Sequence, residues 1–338
     1  MPTASNRRIA KPPRTDPVVI VLPTLNSRRW LAGCLSVLTE ASCEAFDLQV
    51  VDNGSIDGTP DVIADRWPEV HVVRLAQNVG YGAAVNVGAS LWPTHHVLAL
   101  NIDTIPSPAA IEALRTKLVA TTSAGVIAPR LLNADGSVQE SWFRFPTLRG
   151  WFWAAIGLDR LVGRRPNVGP PTDEEHGGWA SGAALLVRRE AWRQVGGFDP
   201  AYRFYVEEVD LQERLAARGW TRVIEPQAAV THFGGSRPVS AQRFLLSHDG
   251  WERYFGTRSG RPSQVGARLV LAFLAFTRFV AWSWLARAKP ERDADAPEWS
   301  KMFGLTALIS LSRLPSTACR RHEPYVPTQT NESRLIDD

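Results

Sequence analysis

Short, largely apolar runs that alternate with helical patterns constrain the fold of this chain more than any other feature. The runs lie at residues 18–22, 48–51, 70–73, 97–100 and 126–128. Helical patterns lie between them, for example over residues 109–119. A strand is continuously apolar when helices cover both faces of a parallel sheet, because neither face then meets water. The sequence therefore predicts an α/β fold with a doubly wound, mostly parallel sheet and helices on both faces.

The alternation breaks at residues 142–178, which hold Trp142, Trp151 and Trp153 before a loop rich in Pro, Gly and charge at 164–178. The tryptophans fit either a core or a surface that contacts sugar or lipid. Regular structure then resumes in three predicted elements: a strand over residues 183–187, a helix over 208–218 and a strand around Val223. No internal repeat is present in the sequence.

Composition divides the chain into four predicted segments. Residues 1–16 are polar, basic and rich in Pro, which predicts a disordered leader without the apolar stretch of a signal peptide. A globular domain is predicted over 17–240, a helical extension over 241–320 and a flexible tail over 321–338. Three cysteines are too few for a disulfide framework and form no metal-type pair, so we expect a reduced, cytoplasmic setting.

The helical extension contains a strongly apolar stretch over residues 265–288 that also carries Arg268, Arg278 and Arg287. A charge at the centre of a membrane span costs about 2.5–3.5 kcal/mol on insertion scales, which disfavours a simple span. An amphipathic helix at the inner membrane surface fits better. A helix that packs on its own domain fits equally well, and the sequence does not decide between these two alternatives.

The charge balance points to anionic partners other than nucleic acid. Lys and Arg outnumber Asp and Glu by 38 to 34, and the excess is clustered near the start and beyond Arg237. Such clusters suit phosphate or a lipid surface. The sequence has no zinc-finger spacing and no RNA-binding aromatic signature. It also has neither the P-loop motif nor a dinucleotide fingerprint after the first strand, which disfavours a P-loop nucleotidase and a dinucleotide enzyme.

Polar clusters follow four of the predicted strands, at residues 23–26, 52–59, 78–82 and 101–104. Any one of them could be an ordinary turn, because Asn, Asp and Gly dominate turns. Open α/β sheets, however, bind ligands beyond the carboxyl ends of their strands. Four such clusters at one edge of one sheet therefore indicate a ligand site.

The residue types in these clusters suit a nucleotide and a divalent cation. Asp52 and Asn53 offer acceptors for the edge of a pyrimidine or the hydroxyls of a ribose. Gly80 and Gly82 let the backbone approach a ligand closely. Asp103 is a hard oxygen ligand of the kind that holds Mg²⁺ or Mn²⁺ together with substrate phosphates.

These clusters also carry a specific resemblance. The string Val-Val-Asp-Asn-Gly-Ser-Ile-Asp-Gly-Thr at 50–59 resembles the nucleotide-binding motif of glycosyltransferase family 2. Further stretches resemble the rhamnosyltransferase-like branch of that family, in the expected order from about Val18 to Ser236. They lie at residues 78–88, 101–103, 178–183, 196–199 and 204–211.

The resemblance implies a GT-A fold, a nucleotide-diphosphate sugar donor, a Mg²⁺ or Mn²⁺ ion and inversion at the anomeric carbon. It assigns donor contacts to Thr24, Asn26, Asp52, Asn53, Asn78, Gly80, Asn86 and Asn101. It places the metal at Asp103 and His232 and makes Glu208 the catalytic base. It assigns substrate contacts to Trp179, Ser181, Gly182, Glu207 and Asp210.

Several of these residues have ordinary structural alternatives. Residues 179–182 could simply shape a turn, and His232 could be a structural histidine. Asp210 could pair with Arg214 one helical turn later. The sequence also departs from the family pattern twice: Asn101 replaces the first carboxylate of the Asp-x-Asp motif, and the Glu-Asp pair reads as two glutamates, which lengthens the base by one methylene.

The branch resemblance further implies L-rhamnose as the transferred sugar, dTDP-rhamnose as the donor and a polyprenyl-diphosphate-linked saccharide as the acceptor. It implies cell-envelope synthesis at the cytoplasmic face of a bacterial plasma membrane. Other family 2 transferases, galactofuranosyl or glucosyl, remain open, as does an inactive GT-A binding module. A nucleotidyltransferase is a weaker alternative, because residues 23–27 lack the Gly-rich basic loop it would carry.

Overall fold

The computed structural model describes residues 15–41, 46–156, 178–203, 205–234, 241–288 and 296–312. Residues 1–14 of the predicted leader and the whole predicted tail at 321–338 lie outside the described residues. So does the loop at 164–178, except for its last residue.

An eight-stranded sheet forms the centre of the molecule, and a second sheet has two strands. The strands are β1 (Val18–Thr24), β2 (Asp47–Asp52), β3 (His71–Arg74), β4 (His96–Leu100), β5 (Thr104–Pro106), β6 (Ala124–Leu132), β7 (Trp142–Arg144), β8 (Gly178–Ala180), β9 (Ala184–Val187) and β10 (Thr221–His232). The large sheet has the order β3-β2-β1-β4-β9-β6-β10-β5, and β7 pairs with β8.

Most of the large sheet is parallel, which confirms the predicted architecture. β1 pairs in parallel with β2 and β4, β2 with β3, and β6 with β10. Two strands run against this direction: β9 lies between β4 and β6, and β5 lies at the edge beside β10. The apolar run at 183–187 was predicted as a strand, and its residues 184–187 form one that is buried throughout.

Helices cover both faces of the sheet. They are α1 (Leu31–Ala41), α2 (Thr59–Arg66), α3 (Tyr81–Ser90), α4 (Pro108–Ala120), α5 (Leu148–Ala155), α6 (Arg189–Val195) and α7 (Glu207–Ala216). Residues of α1, α2 and α4 form one core with the first face, including Leu35, Ile63 and Leu114. Residues of α3, α6 and α7 form a second core with the other face, including Val85 and Leu211.

Local chemistry explains where individual helices begin. In α4, the Ser107 hydroxyl accepts a hydrogen bond from the Ala110 amide at 3.0 Å, and Pro108 is the first helical residue. A serine cap satisfies an amide that the helix leaves unpaired, and proline loses nothing at the first position. This start places α4 directly after β5 and so fixes the course of the chain beyond the predicted ligand edge.

The chain continues into a long helix, α8 (Ala241–Ala288), and a final described helix, α9 (Ala296–Ser312). One face of α8 is packed: Ala267 and Leu271 are buried, and Trp251 lies against Trp151 with ring centroids 4.9 Å apart. Trp142 is also buried. Of the three tryptophans at 142–153, Trp142 and Trp151 therefore serve packing, whereas Trp153 is exposed. The packing alternative for the apolar stretch is therefore correct for one face of α8.

The opposite face of α8 carries a row of exposed apolar side chains, called here the apolar stripe. The stripe consists of Val265, Leu269, Phe273, Phe276, Val280 and Trp284. Its spacing of three and four residues keeps all six on one side of a helix. Within the described residues, Gln264–Trp284 also has the length and composition of a membrane-crossing helix, a property that core helices of soluble proteins can share.

Candidate functional site

The carboxyl ends of β1 and β2 meet at one edge of the large sheet, as predicted. The Asn53 amide donates to the Thr24 carbonyl oxygen at 2.8 Å, and the Thr24 hydroxyl donates to Asp52 Oδ1 at 3.4 Å. Asp52 Oδ2 accepts from the Ser55 amide at 3.3 Å. A carboxylate has about four acceptor positions, so Asp52 can still bind a ligand at this edge.

The loop after β3 is fastened beside these residues by amide side chains. Asn53 Nδ2 donates to Asn78 Oδ1 at 3.0 Å, and Asn53 Oδ1 accepts from the Val79 amide at 2.9 Å. Gly80 has a φ of 97°, and a Cβ at this position would lie 2.8 Å from the Arg203 carbonyl oxygen. The two asparagines thus shape the loop in this structure, and only glycine fits at position 80.

Asn26 and Asn101 lie at the same edge, after β1 and β4. Asn26 has a left-handed φ of 48°, and its Oδ1 accepts from the Ile56 amide at 2.9 Å. The backbone N–H of Asn26 donates to the Ser55 hydroxyl at 2.9 Å, so the loop after β1 is bonded to the loop after β2. The Asn101 amide donates to the Ala183 carbonyl oxygen at 2.9 Å.

Asp103 and His232 are brought together by the antiparallel pairing of β5 with β10. Thr104 is the register partner of His232, and the Phe233 amide donates to the Asp103 carbonyl oxygen at 2.9 Å. As a result, His232 Nε2 lies 3.6 Å from Asp103 Oδ1. The histidine is buried and the aspartate partly exposed, so the pair faces the open side of the edge.

The surroundings of this pair fit a divalent cation. A Cβ at position 234 would lie 2.6 Å from His232 Nε2 and 2.8 Å from Asp103 Oδ2, so a glycine keeps the space beside both ligands open. In the part of the chain that the structure describes, no group of three or more His, Cys, Asp or Glu residues could hold a metal alone. One carboxylate with diphosphate oxygens matches the usual way in which Mg²⁺ binds, and the imidazole would add a nitrogen ligand to that set.

Two glutamates, the buried Glu207 and the half-buried Glu208, begin α7 next to an unusual turn. Tyr205 and Val206 have φ angles of 64° and 73°, and such left-handed non-glycine residues cost about 1–3 kcal/mol each and cluster at functional sites. Burial raises the pKa of Glu208 to about 7. Burial, followed by the nearby Glu208 carboxylate, raises the pKa of Glu207 well above its usual range. A carboxylate with a pKa near 7 suits a general base.

The turn at 181–182 lies directly beside Glu208. A Cβ at Gly182 would lie 3.3 Å from Glu208 Cβ. The buried Gln212 side chain holds this turn from α7, because its Oε1 accepts from the Ala180 amide and its Nε2 donates to the Ala180 carbonyl oxygen, each at 2.8 Å. Ser181 and Gly182 therefore lie at the same site as Glu208.

Tyr81 connects the two halves of the site. Its hydroxyl donates to the Gly182 carbonyl oxygen at 3.3 Å. Burial raises its pKa, and the negative charges of Glu207, Glu208 and Asp103 raise it further. The Tyr81 hydroxyl therefore stays protonated and lies within electrostatic reach of the three carboxylates.

Two predicted site residues have their polar atoms engaged elsewhere. Asn86 Nδ2 donates to the Phe198 carbonyl oxygen at 2.8 Å, and its Oδ1 accepts from the Phe198 amide at 3.0 Å. The Trp179 indole donates to the Arg144 carbonyl oxygen at 3.2 Å, while its ring lies 4.7 Å from that of Phe143. Asn86 thus holds α3 to the turn after α6, and Trp179 forms an aromatic pair at the small sheet.

Asp210 takes part in ion pairs within the protein. Its Oδ2 accepts from Arg214 Nε at 2.7 Å, and its Oδ1 pairs with Arg258 of α8 at 3.3 Å. The Tyr202 hydroxyl lies 3.4 Å from the same Oδ1. These contacts fit the structural alternative for Asp210, an ion pair with Arg214 one helical turn later.

The sequence contained signals for two of the three residues that prediction missed. Gln212 follows Glu208 by four residues and so shares its face of α7. Tyr81 lies between Gly80 and Gly82, in the stretch at 78–88 that resembles the family. Gln139, whose Oε1 lies 2.7 Å from His232 Nδ1, had no such signal, because it comes from an irregular segment far away in sequence.

Comparison with known proteins identifies the class. A family model described as glycosyl transferase family 2 matches residues 19–172. N-acetylglucosaminyl-diphospho-decaprenol L-rhamnosyltransferase of Mycobacterium tuberculosis is 35% identical over 236 residues, which cover 64% of this chain and 76% of that protein. The chain therefore belongs to glycosyltransferase family 2. It is a glycosyltransferase that resembles the rhamnosyltransferases of the family.

Other similarities agree with this placement. The O-antigen biosynthesis protein RfbC of Myxococcus xanthus is 24% identical over 273 residues, which cover 76% of this chain and 20% of that protein. The mannosyltransferase PcManGT from Pyrobaculum calidifontis, solved in complex with GDP-Man and Mn²⁺, superposes with a TM-score of 0.51 at 15% identity over 91% of this chain and 92% of that one. The structural likeness shows the GT-A fold.

Proposed function

We propose that this enzyme transfers L-rhamnose from dTDP-rhamnose, with inversion, to a hydroxyl of a polyprenyl-diphosphate-linked saccharide used in bacterial cell-envelope synthesis. One observation carries the mechanism: Asp103, 3.6 Å from His232, and Glu208 both raise the pKa of Tyr81, whose hydroxyl donates to the Gly182 carbonyl oxygen beside Glu208. The similarity to the mycobacterial rhamnosyltransferase supports the sugar and the acceptor.

The donor nucleotide is assigned to the edge formed by β1, β2 and the loop after β3. Asp52 has free acceptor positions for the nucleoside, and Thr24 lies against it. Asn26, Asn53 and Asn78 build the loops around this position. Gly80 and Asn101 complete this side of the site, where the diphosphate leads toward Asp103.

The divalent cation is assigned to Asp103 and His232, with the donor's diphosphate oxygens as the remaining ligands. When bound, Mg²⁺ or Mn²⁺ supplies a Lewis acid that stabilises the negative charge of the departing diphosphate. The protein's own contribution is to hold one carboxylate and one imidazole nitrogen 3.6 Å apart around the open space beside Gly234.

Glu208 is assigned as the general base. The acceptor oxygen attacks the anomeric carbon, the bond from that carbon to the diphosphate oxygen breaks, and the hydroxyl proton passes to Glu208. This single displacement inverts the anomeric configuration. The 181–182 turn lies against Glu208 and lines the acceptor side, and Glu207 supports the start of α7 behind the base.

The apolar stripe is assigned to the cytoplasmic face of the plasma membrane. Phe152 of α5 is exposed and lies 6.5 Å from Phe273 of the stripe, so the apolar surface extends beyond α8. A lipid-linked acceptor is anchored in the membrane, and an enzyme that lies on the same surface meets it there. Apolar side chains that face the lipid and cationic side chains at the rim are typical of such interfacial helices.

The donor assignment is tested by the release of nucleoside diphosphate from a panel of nucleotide sugars with Mg²⁺ or Mn²⁺. The panel includes dTDP-rhamnose, UDP-galactofuranose and UDP-glucose, each with and without a polyprenyl-diphosphate-linked N-acetylglucosamine. We expect acceptor-dependent release from dTDP-rhamnose and a product of inverted anomeric configuration by NMR. Preferential use of another sugar would replace the donor, and no turnover with any of them would favour the binding module.

A further inference from the structure

Gln139 contacts the edge of the His232 ring that faces away from Asp103. Gln139 lies in the connection between β6 and β7, where its backbone N–H donates to the Leu131 carbonyl oxygen at 2.9 Å. Its half-buried side chain reaches across to the end of β10, and its Oε1 lies 2.7 Å from His232 Nδ1.

The orientation of the Gln139 carboxamide follows from its other neighbours. Nε2 lies 3.1 Å from the Gly234 carbonyl oxygen, 3.3 Å from that of His232 and 2.9 Å from Asn133 Oδ1. Carbonyl oxygens only accept hydrogen bonds, so the NH₂ group must face them. The Gln139 oxygen is therefore the atom that faces the imidazole.

This orientation assigns the histidine tautomer. An amide oxygen only accepts, so the hydrogen of a neutral His232 ring is on Nδ1 and Nε2 carries the lone pair. That lone pair is 3.6 Å from the carboxylate of Asp103, which is also an acceptor. Two acceptors that face each other across an open space are suited to share a cation.

We propose that Gln139 is the positioning residue of the metal site, which fixes His232 in the tautomer that presents Nε2 to the ion. The same side chain ties down the backbone of Gly234, the residue that leaves the space open. This inference rests on the metal site of the proposed function. Partners that orient metal-bound histidines typically change metal affinity by about 10–100-fold when removed.

The test is the affinity of the full chain for Mn²⁺, which is measured by electron paramagnetic resonance with dTDP present. Gln139→Met keeps the length of the side chain but removes the acceptor, and we expect Mn²⁺ affinity to fall about 10–100-fold. Gln139→Glu keeps an oxygen for Nδ1–H and should bind Mn²⁺ more tightly than the Met variant. Asn133→Ala removes a neighbour of Gln139 but not the contact with His232, and it should bind Mn²⁺ like the unaltered protein.

Unchanged affinity in Gln139→Met, or equal weakening by Met and Glu, would overturn the role of Gln139. Asp103→Ala and His232→Ala separate this result from a failure of the metal site itself. If these two variants lose Mn²⁺ and Gln139→Met does not, the inference about Gln139 alone is wrong. If neither loses Mn²⁺, the metal site of the proposed function is wrong as well.

Discussion

Asp103 supplies the carboxylate of the proposed metal site, opposite an imidazole that is held by Gln139. We expect Asp103→Ala to lower the rate of sugar transfer roughly 10²–10³-fold, because several kcal/mol of leaving-group stabilisation depend on the bound cation. The rate is measured with saturating donor, and chelation by EDTA should have the same effect. The exposed Asp65 on α2 offers a matched control, since Asp65→Ala should keep full activity. Transfer at the normal rate in EDTA would refute metal dependence.

Glu208 is expected to act through its charge, so an isosteric amide should abolish most of the reaction. Glu208→Gln should lower turnover about 10²–10⁴-fold, the usual contribution of a positioned base, while donor binding is unchanged. Glu207→Gln is the comparison, because it alters the neighbouring carboxyl group and leaves the base in place. If Glu207→Gln loses the activity and Glu208→Gln keeps it, the base has been assigned to the wrong residue.

The raised pKa of Glu208 gives the reaction a defined pH dependence. The base must be ionised, so kcat/KM should rise with pH up to about 7 and level off above that value. The stability of the fold depends on pH in the opposite direction from kcat/KM. The pKa of Glu208 is raised from 4.5 to about 7 in the folded protein, so this group favours the folded state at low pH. Its contribution to the free energy of unfolding is lost as pH rises through about 7. Glu208→Gln should therefore raise the melting temperature at pH 8 relative to the unaltered protein. A flat activity profile from pH 5 to 8 would contradict the assignment.

Individual site residues could be predicted from sequence to the extent that they follow a strand end. Asp52, Asn53 and Asp103 do so, and parallel strands bring such ends to one edge. The partnership of Asp103 with His232 depends on the antiparallel pairing of β5, which has three residues and no recognisable pattern. Only the motif resemblance suggested it. The spacing of Asp210 to Arg214 predicted the ion pair within α7. The contact of Asp210 with Arg258 of α8 had no sequence signal.

At the scale of elements, Arg258 of α8 joins the long helix to α7, the helix that carries the proposed base. Its guanidinium pairs with Asp210 and Glu213 of α7 and lies 3.6 Å from the ring centroid of Tyr254. Arg258→Ala should lower the free energy of unfolding by about 1–3 kcal/mol, because it leaves the buried Asp210 with fewer partners. Urea denaturation measures this loss. Arg287→Ala, at the exposed end of α8, should leave stability unchanged. An equal effect of both substitutions would show that the contact with α7 contributes nothing specific.

Elements were predictable where one periodicity lasted long enough. The runs at the centre of β1 and β4 are continuously apolar, and that of β2 is interrupted only by Gln49, because both faces of the sheet are covered; their parallel order follows. The direction of β9 was not predictable, since four apolar residues look the same in either direction. The helix α8 begins well before the apolar stretch that revealed it, because its first half packs through scattered residues such as Tyr254 and Phe255.

At the scale of the whole molecule, the apolar stripe and the active site belong to one packed unit. Gly250 of α8 lies against the turn before α7, where a Cβ would be 2.9 Å from Val206 Cγ2. The predicted boundary at residue 240 stays a prediction, but the helix beyond it contacts the turn before α7, the helix that carries the proposed base. Substitutions on the exposed stripe are therefore a sharper probe of membrane contact than truncation, which would also remove that support.

We expect the double variant Phe273→Glu/Phe276→Glu to lose binding to anionic liposomes, because the charged side chains replace exposed apolar side chains that would insert among the lipids. Sedimentation with vesicles of phosphatidylglycerol and phosphatidylcholine measures binding. Leu91→Glu/Val119→Glu is the matched control, since both residues are exposed and apolar. Leu91 lies just beyond α3 and Val119 lies on α4, away from the stripe. Equal loss in both variants would mean that charge alone explains the effect, and equal retention would remove the membrane role.

The left-handed turn at Tyr205 and Val206 has a consequence for how this enzyme can change over generations. Both residues occupy a conformation that glycine adopts freely, so glycine at either position relieves backbone strain but removes a side chain that lies in the buried cluster or packs against it. The same change frees the turn that positions Glu208, the proposed base. Natural variation at these two codons is therefore expected to favour large apolar or aromatic residues over glycine, although glycine suits the backbone better.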